Sequence, residues 1–176
     1  KRQTIDRLAS EGMFFTHFYA AQPISSASRA GLITGCYPNR VGISEALMPQ
    51  GRIGVAPNEE TLPEILKTRG YSCGMVGKWH LGHLYPFLPL QQGFDEYLGL
   101  PYSNDMWPFH PQPGHPYRAL PLYDNERVVE YNPTVNHMTT RITERATAFI
   151  DKHKNEPFLL YVPYTPVSYT HLRAHE

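Results

Sequence analysis

The chain has 176 residues and carries 16 Lys and Arg against 16 Asp and Glu, a formal net charge of zero with histidine neutral. That length fits one domain or a piece of a larger one, and the charge balance excludes a nucleic-acid or other polyanion binder working by bulk charge, because there is no basic excess to displace counterions. A hydrophobic content of 41% excludes a disordered chain, the longest apolar runs are too short for a membrane span, and Cys36 and Cys73 alone make no disulfide framework or cysteine-rich metal site.

The chain opens on Lys1 with no apolar signal stretch behind it. Residues 4–11 predict a short helix, with Ile5, Leu8 and Ala9 on one face and Gly12 as its C-cap. A domain that begins inside its first helix is expected to lack its start. Residues 13–20 are aromatic and strand-like. Residues 23–35 read as a helix whose serines offer N-caps and whose stop is Gly35. A Pro- and Gly-rich loop covers 37–58. Thr61-Leu62-Pro63-Glu64 is a capping-box pattern opening a helix through Lys67, which stops at Gly70.

Residues 71–76 predict a strand, and Gly77-Lys78-Trp79-His80-Leu81-Gly82 leaves it as a loop. The stretch 83–136 holds nine of the 17 prolines and little periodicity, so it reads as an ordered loop able to shape a cleft. Residues 139–152 form an amphipathic helix pattern with Ile142, Ala146, Phe149 and Ile150 on one face. The run 158–162 suits a strand buried on both faces. Helices alternating with buried strands predict an α/β sheet with helices on both sides.

Two segments carry chemistry. A serine at a helix start sits beside unpaired backbone N–H groups and the positive helix end, which suits a nucleophile attacking an anionic ester, and Arg29 lies one turn further on. The same serines also fit ordinary helix caps. Lys78 and His80 share one side if their segment is extended, where an ammonium and an imidazole can bind an anion and move a proton. An incidental Lys and His on a surface loop fit that spacing equally well.

Taken together, Ser25-Ser26-Ala27-Ser28-Arg29, ending in Thr34-Gly35, resembles the first motif of the sulfatase family, and Gly77-Lys78-Trp79-His80-Leu81-Gly82 resembles the second. Gly93-Phe94-Asp95 and Gly99-Leu100-Pro101-Tyr102-Ser103-Asn104-Asp105 are similar to the segment that follows in arylsulfatases. The resemblance covers residues 3–165. It implies an alkaline-phosphatase-like sandwich, a mostly parallel sheet with helices on both faces, present here as a partial domain. It also implies hydrolysis of sulfate monoesters.

In that family the first motif residue is oxidised to formylglycine, so Ser25 would become the nucleophile, in the manner of Ser-type bacterial sulfatases. Ala27 stands where Pro is commoner. The resemblance further implies that Arg29 holds the formylglycine, Lys78 binds sulfate and the nucleophile oxygen, His80 bonds the hydroxyl that collapses to release sulfate, and Ser103 contacts sulfate. Implied partners are a sulfated small molecule or glycan and a formylglycine-generating maturase. Calcium is the implied metal, with its ligands expected before Lys1 and beyond Thr165. The leaving-group histidine is expected near Ser168. A periplasmic or extracellular setting is implied for the parent protein. The alternatives are a phosphonate or phosphate monoester hydrolase of the same superfamily, or a non-catalytic sulfated-glycan binder in which Ser25 stays unmodified.

His17, His83, His110, His115 and His137 are read as loop or packing residues, and Asp95 and Asp105 as turn formers. Residues 167–176 read as the in-frame translation of a transposase-type sequencing adaptor, which removes His171 and His175 from consideration and leaves 1–166 as the N-terminal part of a catalytic domain. Residues 1–176 alone are expected to be inactive.

Overall fold

The computed structural model describes residues 3–110, 114 and 117–165. The adaptor-like stretch 167–176, with His171 and His175, lies outside the described residues, as does His115. Helix α1 covers Gln3–Glu11, α2 Ser25–Thr34, α3 Leu62–Lys67 and α4 Val135–His153. Strands β1 (Ser72–Lys78), β2 (Glu96–Leu100), β3 (Pro121–Asp124), β4 (Arg127–Tyr131) and β5 (Phe158–Tyr161) form one sheet in the order β4-β3-β2-β1-β5. β1 runs parallel to both β2 and β5, while β3 and β4 add antiparallel to β2 as a hairpin at one edge.

The central strand explains the layering. β1 is buried from Cys73 to Lys78, and alternate side chains leave on opposite faces. Cys73 and Met75 join Ala30 and Ile33 of α2 in one core cluster, which also holds Trp79, Phe94 and Tyr97. Val76 joins Met138 and Ile142 of α4 in the other. At Gly74 the Phe149 ring occupies the place of a side chain, since a Cβ there would lie 2.5 Å from Phe149 Cε2. Helices therefore cover both faces, as the alternation of elements predicts. Burial of the Trp79, Phe94 and Phe149 side chains contributes about 2–3 kcal/mol each.

Local signals place several boundaries. Gly35 takes φ 66 and donates its N–H to Gly31 O, ending α2. The Glu64 carboxylate accepts the Thr61 backbone N–H at 2.8 Å, opening α3. Other expectations are corrected. The N-cap of α2 is Ile24 with no side-chain cap bond, so the serines lie inside the first turn. Residues 13–20 form no strand: Met13, Phe14, Phe15, Phe18 and Tyr19 are exposed, and no ladder bonds hold that backbone. β1 continues through Lys78 because its ladder with β2 extends to the Lys78–Leu100 pair.

The stretch 83–136 holds two 3-10 turns and strands β2 to β4, all too short and too interrupted by proline to show a period. α4 starts at Val135 rather than 139 and buries Met138 in place of Ile150, which stays exposed. β5 is only half-buried along its length, since β1 is its one neighbour among the described residues. Cys36 and Cys73 are both free thiols, and burial beside Asp95 pushes Cys73 up to about 11. Among the described residues no helix is long and apolar enough to cross a membrane.

Candidate active site

Ligands of open α/β sheets bind beyond the carboxyl ends of parallel strands, and that end of this sheet gathers every candidate. A cavity of about 330 Å³ is lined by Pro23, Ser25, Lys78, His80, Ser103, Asp105 and Met106. Ser25 comes from the first turn of α2, Lys78 from the last residue of β1, His80 from two residues beyond, and Ser103 and Asp105 from the loop after β2. A larger cavity of about 580 Å³ also adjoins Ser25, and is lined by Arg29, Phe18, Tyr19 and Tyr161 among others.

His80 reaches the site through a strained backbone rather than by strand alternation. It carries φ 62, a left-handed conformation uncommon outside glycine. Its neighbours hold it there. Lys78 N–H donates to Pro163 O at 2.9 Å, Trp79 N–H to Leu100 O at 2.9 Å and His80 N–H to Pro101 O at 3.1 Å. The Trp79 indole is fully buried and donates to Phe87 O at 2.7 Å. The expected extended segment is thus a turn, yet Lys78 and His80 still line one cavity.

Around Ser25 the hydrogen bonds are directional. Arg29 Nε donates to Ser25 Oγ at 3.0 Å, and Arg29 Nη1 donates to Lys78 O at 2.7 Å and to Tyr161 Oη at 3.2 Å. His80 Nδ1 lies 3.3 Å from Ser25 Oγ, and His80 Nε2 lies 2.9 Å from Leu47 O. A carbonyl oxygen only accepts, so Nε2 carries the ring hydrogen and Nδ1 presents its lone pair to Ser25. Ser25 Oγ therefore accepts from Arg29 and donates to His80. Lys78 Nζ donates to Ser103 Oγ at 3.2 Å, and both side chains are buried.

The electrostatics match these roles. Burial, then the Lys78 ammonium, pushes His80 down to about 3, so the ring is neutral at physiological pH. Burial and the neighbouring Arg29 bring Lys78 down to about 8, with Asp105 opposing. Burial also lowers Arg29, offset by Tyr161. Two cations and one carboxylate thus surround a hydroxyl at a helix start, an arrangement that attracts an anion and leaves a neutral ring nitrogen beside that hydroxyl.

One consequence concerns stability. The folded-state value of His80 lies below its ordinary 6.5, so unfolding takes up a proton between those two values. Stability is full above about pH 6.5, falls as pH drops by up to about 1.4 kcal/mol per unit, and levels near 3. Urea unfolding of wild type and His80→Asn across pH 7 to 4 is expected to show a shallower decline in the variant. Parallel declines would contradict the buried neutral ring.

Sequence reasoning missed four contributors. Leu47 acts through its carbonyl, which has no residue-type signature. Ser26 is fully buried and its Oγ accepts Leu47 N–H at 3.0 Å. Tyr161 was hidden in the apolar run of β5. Asp105, read as a turn former, lines the cavity instead and acts electrostatically on Lys78 and His80. Asp95 also does more than shape a turn: it accepts Cys73 N–H at 2.8 Å and pairs with Lys67 at 2.7 Å.

None of the other described histidines lines this cavity. His17 is exposed beside Thr16, His83 packs on Tyr102, His110 on Tyr117, His137 is exposed at the start of α4, and His153 at its end pairs with Glu96 and Glu156. Among the described residues no three His, Cys, Asp or Glu side chains come together to hold a metal.

A buried lysine, a neutral histidine and an arginine-held serine thus meet at the carboxyl ends of the parallel strands of an alkaline-phosphatase-like fold. The family model described as Sulfatase matches residues 1–165, and the chain belongs to that family. It is 38% identical to arylsulfatase G of Mus musculus, over 97% of this chain and 38% of that protein. It is 40% identical to N-acetylgalactosamine-6-sulfatase of Mus musculus, over 89% of this chain and 33% of that protein. The solved structure of Ps i-CgsB in complex with k-i-k-neocarrahexaose superposes with a TM-score of 0.76 at 30% identity, over 97% of this chain and 40% of that one. The chain therefore spans between about a third and two fifths of the length of these relatives.

Proposed function

We propose that these residues form the nucleophile side of a sulfate-monoester hydrolase, with Ser25 converted to formylglycine. The observation that carries this reading is Ser25 Oγ held between the Arg29 Nε donor and the His80 Nδ1 acceptor, in the cavity that Lys78 and Ser103 also line. A hydrated formylglycine offers two hydroxyls, one to attack sulfur and one whose deprotonation restores the aldehyde and expels sulfate. The site suits that group, since a donor and an acceptor already flank the side-chain oxygen.

In this proposal Arg29 orients residue 25 and offsets charge on its oxygen. Lys78 and Ser103 meet the sulfate oxygens. His80 takes the hydroxyl proton at Nδ1 while Nε2–H stays on the Leu47 carbonyl. A maturase oxidises Ser25. Protonation of the leaving alcohol and the calcium ligands fall to parts of a longer catalytic domain, in line with the 38% of arylsulfatase G that this chain spans. Residues 1–166 are then its N-terminal part, and residues 1–176 alone turn over no aryl sulfate above a Ser25→Ala control. The substrate is a sulfated sugar or aryl sulfate, supported by the relative named for N-acetylgalactosamine 6-sulfate and by the neighbour holding a carrahexaose. The parent works in the periplasm or outside the cell.

Parallel assay of an aryl sulfate and the matching aryl phosphate on the enzyme carrying the complete domain tests this. Sulfate turnover that exceeds phosphate turnover and disappears in Ser25→Ala is expected. Preferential turnover of phosphate would contradict it.

A further inference from the structure

Two hydroxyls in one helical turn act on opposite ends of a single imidazole. At one end, Ser25 Oγ lies 3.3 Å from His80 Nδ1. At the other, His80 Nε2 lies 2.9 Å from Leu47 O, and the same Leu47 donates its N–H to Ser26 Oγ at 3.0 Å. Ser26 has 0% exposure and Leu47 is 8% exposed within the α2 side of the core, so the main chain at Leu47 is fixed by its amide and by its side chain.

We propose that Ser26 is a positioning residue: by holding the Leu47 main chain it locks His80 in the Nε2–H tautomer and keeps the Nδ1 lone pair on residue 25. A buried imidazole has two neutral tautomers, and the partner of one nitrogen decides which is present. Without the Ser26 oxygen, the Leu47 amide loses its acceptor, and the main chain that presents the carbonyl to the ring keeps only its side-chain hold. The Nδ1–H tautomer would point a hydrogen at Ser25 Oγ, which already accepts from Arg29, and would remove the base. The charged groups acting on the ring are Lys78 on β1, Arg29 on α2 and Asp105 after β2, while the Nε2 contact is to the Leu47 carbonyl. The consequence for turnover rests on the sulfatase reading; the tautomer itself does not.

Nitrogen-15 histidine spectra of residues 1–176 at pH 7, with His80 assigned by its loss in His80→Asn, test the lock. Wild type is expected to show a protonated Nε2 and a bare Nδ1. Ser26→Ala is expected to shift the tautomer ratio by roughly tenfold, the factor set by an ordinary hydrogen bond. Ser26→Cys, which keeps the volume with a weaker acceptor, should fall between. In the complete enzyme Ser26→Ala should lower kcat with little change in KM. A wild-type ring dominated by Nδ1–H overturns the inference outright, even if neither variant folds. So does a wild-type ratio in whichever variant folds. A shifted ratio in a protein with no sulfate turnover would keep the lock and remove only the proposed activity.

Discussion

Replacing Gly99 by alanine is expected to destabilise the chain by more than about 3 kcal/mol. A Cβ at residue 99 would lie 1.7 Å from Gly77 O and 2.7 Å from Gly77 C, and those atoms are backbone that no rotamer change can move aside. Gly77 and Gly99 are register partners in the parallel β1–β2 ladder, one residue before Lys78. Gly77 cannot yield either. It holds φ 133, and a Cβ on it would lie 2.2 Å from Pro163 O. Three backbone segments therefore converge directly beneath the site, and separating them would displace Lys78 and the turn that carries His80. Gly35→Ala is the control. Its φ of 66 strains a side chain, but nothing lies within 4 Å of the added methyl, so about 1 kcal/mol is expected. Urea midpoints measure both. A Gly99→Ala midpoint equal to that of Gly35→Ala would contradict the close approach.

His80→Asn is expected to lower kcat for sulfate-ester turnover by roughly 10²–10⁴, the range for loss of a positioned base, with KM changed by less than about threefold. The split follows from the geometry. The imidazole faces the oxygen of residue 25, whereas in the proposed mechanism the sulfate oxygens are met by Lys78 and Ser103. Lys78→Ala is expected to raise KM as well as lower kcat. The pH dependence follows from the same two groups. His80 titrates near 3, so it sets no limb near neutrality. Lys78, held near 8, loses its charge as pH rises through that value, so kcat/KM should fall on the alkaline side near 8. A His80→Asn enzyme with full kcat, or a profile flat through pH 9, would contradict these assignments.

Legibility from sequence followed the range of the signal. Ser25 and Arg29 lie one turn apart, and Lys78 and His80 two residues apart, so local spacing raised them as candidates, and the resemblance of the two segments to the family motifs singled them out. Ser103 was found only because its surroundings resemble a family segment. α2, β1, α4 and β5 declared themselves through caps, a continuous apolar run or a helical period. The hairpin of β3 and β4 did not, because four- and five-residue strands with exposed faces carry no period, although Asn125 at φ 54 marks the turn. Residues 13–20 failed the other way: aromatic content suggested a strand, but a strand needs a partner and no described residue supplies one. The most consequential omission was Leu47. Its carbonyl is the partner of His80 Nε2, and a main-chain oxygen supplied by a loop leaves no mark in residue type.

Conversion of Ser25 to the formylglycine nucleophile is tested most directly by mass spectrometry of the peptide spanning Ser25. The protein should be expressed with a serine-type maturase and compared with the same protein expressed without it. A peptide lighter by two hydrogens, or its hydrate, at residue 25 only in the presence of the maturase is the expected result. An unmodified Ser25 in a preparation that hydrolyses sulfate esters would contradict the account.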